Sequence, residues 1–238
     1  MTNREVIISL ALKYQGSYDR IKYAISSKED VEHIPYENAI TIFDEDYPKE
    51  LFSLKSPPFV LFYKGNKKLL RKEKIAVVGS RKPCDYALDA TRALVLSKKD
   101  KVIISGLAKG IDAQAHRCAK RTIGILGCGI DYVYPKENAP LYKKIEEEGL
   151  ILSEYPGYCV PYPYNFPFRN RIIAALAEEV YIMEAHEKSG TLTTINEALE
   201  LGRNIKVLPY DVFVEEGKYN NYLINEGAMM IDISDLSN

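Results

Sequence analysis

The chain has 238 residues, a formal net charge of −1 and an ordinary globular composition, which sets one good-sized domain or a domain with a small appendage. No apolar run is long enough to span a membrane, and the Val6 to Leu12 stretch lacks a cleavage site and reads as a core helix, so the expected compartment is the cytoplasm. The four cysteines, Cys84, Cys118, Cys128 and Cys159, form no Cys-x-x-Cys pair and stand at no zinc-ligand spacing to histidine, so they are expected reduced, with no metal or cofactor.

Residues 1–36 read as a small N-terminal helical region, with helices over Glu5 to Tyr14 and Asp19 to Ser26 and a third short piece before Pro35. The Gly16-Ser17-Tyr18 break matches a DNA-gripping helix hairpin poorly, which favours a packing or docking role. Residues 37–73 read as a connecting arm with strands at Ile40 to Phe43 and Phe59 to Tyr63. From Lys74 the chain alternates strand and helix to its end, and residues 74–238 are expected to form one domain. Continuous apolar strands between amphipathic helices predict an α/β fold with a mainly parallel sheet covered by helices on both faces.

Ligands of such sheets bind at the carboxyl ends of the strands. Here those ends carry Gly79-Ser80-Arg81, Ser105-Gly106, Gly127-Cys128-Gly129, Ser153-Glu154 and Lys188-Ser189-Gly190-Thr191. The last of these opens a helix, where free N–H groups, hydroxyls and a lysine suit an anion; Ser189 or Thr191 serves equally as a plain helix cap. No dinucleotide fingerprint or Walker lysine loop is present, and Arg81 suits a phosphate diester better than a buried pyrophosphate.

Net charge near zero does not by itself mark a nucleic-acid binder. Its distribution does: residues 60–125 hold sixteen basic residues against five acidic, an asymmetry able to guide a polyanion. Lys98, Lys99 and Lys101 read as a solvated helix face. Arg81 and Lys109 sit in glycine-containing turns and read as ligand-facing.

These runs are joined by Tyr47-Pro48, Lys64-Gly65-Asn66, Leu107-Ala108-Lys109-Gly110-Ile111-Asp112, Tyr134-Pro135, Phe166-Pro167, Arg169-Asn170-Arg171-Ile172-Ile173 and Glu184-Ala185 in one order. In that order the sequence closely resembles the DNA-processing protein A (DprA, also Smf) family, over roughly Ile40 to Ala228, in a short form without the C-terminal winged-helix domain. The resemblance implies an extended Rossmann-like fold, with residues 74–238 as the Rossmann-like DNA-binding domain, in a cytoplasmic homodimer that is not an enzyme. It implies binding of single-stranded DNA, and loading of the RecA recombinase in natural transformation. It puts Arg81, Arg169 and Lys188 on phosphates, Ser80, Gly106, Asn170, Ser189, Gly190 and Thr191 in neutral contacts, and Phe166 beside a base. Gly79, Lys109 and Arg171 complete the candidate site. The loop before Phe166, Pro163-Tyr164-Asn165, departs from the family in lacking a basic residue.

Two acid–histidine pairs invite catalytic readings. Asp112 and His116, at i and i+4, are better explained as structural hydrogen bonding, and Glu184 with His186 as a polar strand end. The alternative is an enzyme, a nucleoside-monophosphate phosphoribohydrolase of the LOG type, or a nucleotide-sensing module. The Glu187 to Thr191 loop lacks the double glycine of the LOG enzymes.

Overall fold

The structure is a computed structural model and describes residues 1–237. It contains one sheet of nine strands: β1 (Ala39–Thr41), β2 (Val60–Gly65), β3 (Lys74–Val78), β4 (Val102–Ser105), β5 (Thr122–Gly129), β6 (Leu150–Tyr155), β7 (Glu179–Ile182), β8 (Asn204–Val207) and β9 (Met229–Met230). The order across the sheet is β1-β2-β6-β5-β4-β3-β7-β8-β9. β1 with β2 and β2 with β6 are antiparallel, and every other neighbour is parallel. The strands of the arm therefore extend the same sheet, with Phe62 opposite Ser153 and Gly65 opposite Leu150.

The helices are α1 (Asn3–Lys13), α2 (Tyr18–Ser26), α3 (Asp85–Ser97), α4 (Ile111–Cys118), α5 (Ala139–Glu148), α6 (Asn165–Leu176), α7 (Thr191–Glu200), α8 (Lys218–Asn225) and α9 (Ile233–Leu236). Strand side chains alternate between faces. In β3, Ala76 and Val78 join a core with α6 and α7, while Ile75 and Val77 join a core with α3 and α4. A third core packs α1, α2 and α5 against Val60, Phe62, Leu126 and Ile151. Burial on both faces accounts for the unbroken apolar strands read in the sequence.

The expected third N-terminal helical piece is not helical. α2 ends with Lys28 at φ +51 and Glu29 N–H returned to Ala24 O, and residues 29–36 run on without regular structure. α9 was not foreseen; it is a single turn held by an Asp232 capping box, too short for a periodicity signal.

From β3 the chain steps through β4 and β5 to β6, then returns along α6 to β7 on the other side of β3. The loops after β3 and β7 thus leave toward opposite faces. This is the switch point where open α/β sheets hold ligands.

Candidate functional site

A cleft of about 690 Å³ opens at that switch point. Its wall after β3 is Gly79, Ser80, Arg81 and Lys82, and its wall after β7 is His186, Ser189, Gly190 and Thr191. Phe166, Arg169 and Asn170 from the start of α6 form its floor, and Tyr134, Pro161 and Pro163 complete the rim.

Glycines set the depth of the cleft. A Cβ on Gly106 would overlap the Arg169 guanidinium, and one on Gly127 would stand 2.8 Å from the Phe166 ring. Phe166 lies with Gly127 on one side and the Tyr134 ring 5.6 Å away. The Arg81 guanidinium sits 5.7 Å from the Phe166 centroid. Arg81 is exposed and forms no ion pair among the described residues, so its charge is open to a ligand.

Arg169 behaves differently. It is 4% exposed, and its guanidinium donates to Gly106 O at 2.8 Å and to Ile125 O, while Nε donates to Asn170 Oδ1 at 3.1 Å. Burial lowers its pKa from the usual guanidinium value, partly offset by the Asp112 carboxylate. Its charge still reaches the cleft wall, but its donors tie β4, β5 and α6 together. Asn170 in turn donates to Gly190 O at 3.1 Å and fixes the loop that starts α7. At the start of α7, Leu192 N–H donates to Ser189 O at 3.1 Å and Thr193 N–H to Gly190 O at 3.3 Å, while Ser189, Gly190 and Thr191 line the cleft.

Arg171 does not enter the cleft. It forms a buried, two-pronged ion pair with Glu154 at 2.7 Å on each arm, and its guanidinium covers the Phe168 ring at 3.6 Å. Phe168 meets Tyr18 edge-on at 5.8 Å, and Tyr18 stacks on Phe59 at 4.8 Å. A basic residue one position from Asn170 looks like a phosphate contact in sequence; the helix turns it onto the opposite side. Lys188 is exposed on the α7 loop, outside the lining residues. Lys109 borders a side pocket of about 70 Å³ and is ion-paired with Glu137 at 2.5 Å.

The loop between β4 and α4 is held from within. Asp112 accepts from Gly106 N–H at 3.0 Å and Ala108 N–H at 3.3 Å, and Asn138 Nδ2 donates to Leu107 O and Ala108 O. Burial raises the Asp112 carboxyl, opposed by the Arg169 charge. His116 shares a 2.5 Å hydrogen bond between Nδ1 and Thr122 Oγ1. Thr122 Oγ1 also donates to Ile103 O at 2.8 Å, and His116 Nε2 is buried without a hydrogen-bond partner. Burial, with the Arg169 charge, lowers His116 to about 3. The two residues thus serve the loop separately rather than as an acid–base pair. Glu184 accepts from Cys84 N–H at 2.9 Å at the start of α3, and His186 Nε2 stands 3.3 Å from its other oxygen, without hydrogen-bond geometry.

Among the described residues no three His, Cys, Asp or Glu side chains cluster as a metal site, and no helix is long and apolar enough to cross a membrane. Tyr134, Lys82 and the Pro161 and Pro163 rim join the candidate site only in the fold, and His186, read in the sequence with Glu184 as a polar strand end, lines the cleft. Tyr134 had a signal, the Tyr134-Pro135 run, but its pairing with Phe166 is long-range.

The family model for DNA recombination-mediator protein A matches residues 38–238. Protein Smf of Synechocystis sp. is 44% identical over 204 residues, covering 81% of this chain and 51% of its own length. DNA processing protein DprA of Bacillus subtilis is 39% identical over 201 residues, covering 82% of this chain and 68% of its own. This chain thus spans about half the length of the first relative and two thirds of the second. The X-ray structure of DNA processing protein A from Streptococcus pneumoniae superposes with a TM-score of 0.82 at 30% identity, over 100% of this chain and 95% of that one. DNA processing protein A of Helicobacter pylori, whose structure concerns its single-stranded DNA binding mode, gives a TM-score of 0.76 at 33% identity, over 84% and 93%. With its extended Rossmann-like sheet and its ordered strand-end motifs, the chain belongs to the DNA recombination-mediator protein A family.

Proposed function

We propose that this protein binds single-stranded DNA in the switch-point cleft as a recombination mediator. The observation that carries this is Arg81, a free cation held over an aromatic ring at the mouth of a cleft whose far wall is a helix start. A cationic track beside stacking rings is the chemistry of sequence-tolerant single-strand binding. Arg81 would pair with a phosphate, the α7 loop residues Ser189, Gly190 and Thr191 would donate to the next, Lys188 would add charge from outside, and Phe166 would lie against a base. Gly79, Ser80 and Gly106 shape the walls, Lys109 stands at the side pocket, and Arg169 and Asn170 hold the floor. Arg171 acts only by holding α6. Capture is by charge and stacking, with no covalent step.

Homodimerisation, RecA loading in natural transformation and work in the cytoplasm belong to the same reading and rest on family membership. The edge strand β9 leaves Met229 and Met230 half exposed at an open sheet edge, a surface that self-association would cover. Faster RecA-catalysed strand exchange on DNA held by this protein is the expected sign of loading.

The deciding experiment is fluorescence anisotropy of labelled oligo-dT with wild type and Arg81→Ala. The expected outcome is single-strand-selective binding that weakens at least tenfold in the variant. Unchanged affinity in Arg81→Ala sinks the cleft assignment, and displacement by micromolar mononucleotide points to a nucleotide ligand instead.

A further inference from the structure

The segment that rims the cleft carries a surface that the cleft residues leave unused. Residues 157–164 read Gly-Tyr-Cys-Val-Pro-Tyr-Pro-Tyr. Tyr158, Val160, Tyr162 and Tyr164 are 77%, 45%, 50% and 69% exposed, while Pro161 and Pro163 face the cleft. Single exposed apolar residues are ordinary, but a contiguous row of them marks a contact surface.

The Tyr162 and Tyr164 rings are stacked, parallel within 7° and 5.5 Å apart. Their backbone is restrained by prolines and hydrogen bonds. Pro161 and Pro163 fix their own φ angles. Gly129 N–H donates to Cys159 O at 2.8 Å, Asp131 N–H to Gly157 O at 2.9 Å and Asn165 N–H to Tyr162 O at 3.0 Å. Two flat faces are thus presented at little entropic cost, as a preorganised surface requires. They lie beside the floor of the cleft in sequence and space: Tyr164 immediately precedes α6, and Phe166, under the Arg81 charge, lies in its first turn.

We propose that Tyr162 and Tyr164 form a stacking platform on which the unpaired bases of a single-stranded DNA continue as the strand leaves the cleft. This rests on the cleft binding single-stranded DNA. Unpaired bases are the favoured occupant because every base offers a π-face to a tyrosine ring, and two exposed cations, Arg81 and Lys82, line the same cleft. Pro161 and Pro163 separate the two surfaces, so a dinucleotide fills the cleft without reaching the platform.

The chain contains no tryptophan, so a Tyr164→Trp variant is a single reporter that keeps the stacking face. Its emission is expected to be quenched by oligo-dT and unaffected by an abasic oligomer of equal length. Tyr162→Ala with Tyr164→Ala is expected to weaken oligo-dT binding about tenfold or more, to leave dinucleotide affinity unchanged and to be restored by phenylalanine at both positions. Tight wild-type binding that is unchanged in the double alanine variant, with an unquenched reporter, overturns the platform and leaves the cleft standing. Quenching of the reporter by an added protein but not by DNA overturns it in favour of a protein contact. Absence of any wild-type binding to oligo-dT removes the cleft reading and the platform with it.

Discussion

Arg81, Arg169 and Arg171 carry the same charge and meet three fates. Arg81 is open to solvent, Arg169 is bonded to carbonyls, and Arg171 is locked to Glu154. Removing one partner of a buried pair strands the other charge, so Arg171→Ala is expected to cost about 3–5 kcal/mol in urea unfolding. Arg81→Ala, on an exposed side chain, is expected to cost within about 0.5 kcal/mol. His116 gives a pH signature. Its folded pKa, about 3, lies below the unfolded value of about 6.5. The unfolded chain therefore binds a proton that the folded chain refuses, and stability is lost as pH falls from about 6.5 toward 3, by up to about 4 kcal/mol. Urea midpoints measured across that window should fall with pH in wild type and less steeply in His116→Gln at matched starting stability.

At the scale of elements, the N-terminal helices are joined to α6 through Tyr18, Phe59, Phe168, Arg171 and Glu154. The helices are thereby part of what positions the cleft floor. Gly16 is the hinge of that contact: its φ is +74, and a Cβ there would overlap the Glu154 carbonyl oxygen. Gly16→Ala thus meets both backbone strain and a clash, and is expected to cost more than about 1 kcal/mol and loosen α1 and α2 from the sheet. Limited proteolysis should then cut within residues 27–36 faster than in wild type.

At the scale of the molecule, seven of the sixteen basic residues read in the sequence stretch are paired with acids, most of them distant in the chain. Lys64 pairs with Asp131, Lys67 and Arg71 with Asp46, Lys74 with Glu50, Lys98 with Asp235, Lys101 with Glu178 and Lys109 with Glu137. Among the basic residues that enter no ion pair among the described residues, Arg81 and Lys82 line the cleft. Binding should still fall linearly on a log–log salt plot, and Arg81→Ala should reduce the slope by about one. If β9 forms the dimer contact, Met230→Lys should shift the molecule toward monomer in light scattering while oligo-dT binding in the cleft persists; an unchanged mass would place the contact elsewhere.

The α/β alternation, the strand ends rich in glycine and hydroxyl residues, and the family were legible in the sequence because they rest on local periodicity and on ordered short motifs. Gly79 to Arg81 and Ser189 to Thr191 could be named as candidate site residues for that reason: each follows a strand whose own pattern announces it. Which cation is free could not be read that way. Glu154 reaches Arg171 from another strand, and Gly106 O and Ile125 O reach Arg169 from two more. The alternation of Tyr162 and Tyr164 with cleft-facing prolines likewise exists only once the segment is pinned to residues 129 and 131. Charge and exposure are properties of neighbours in space, and only the folded chain chooses those neighbours.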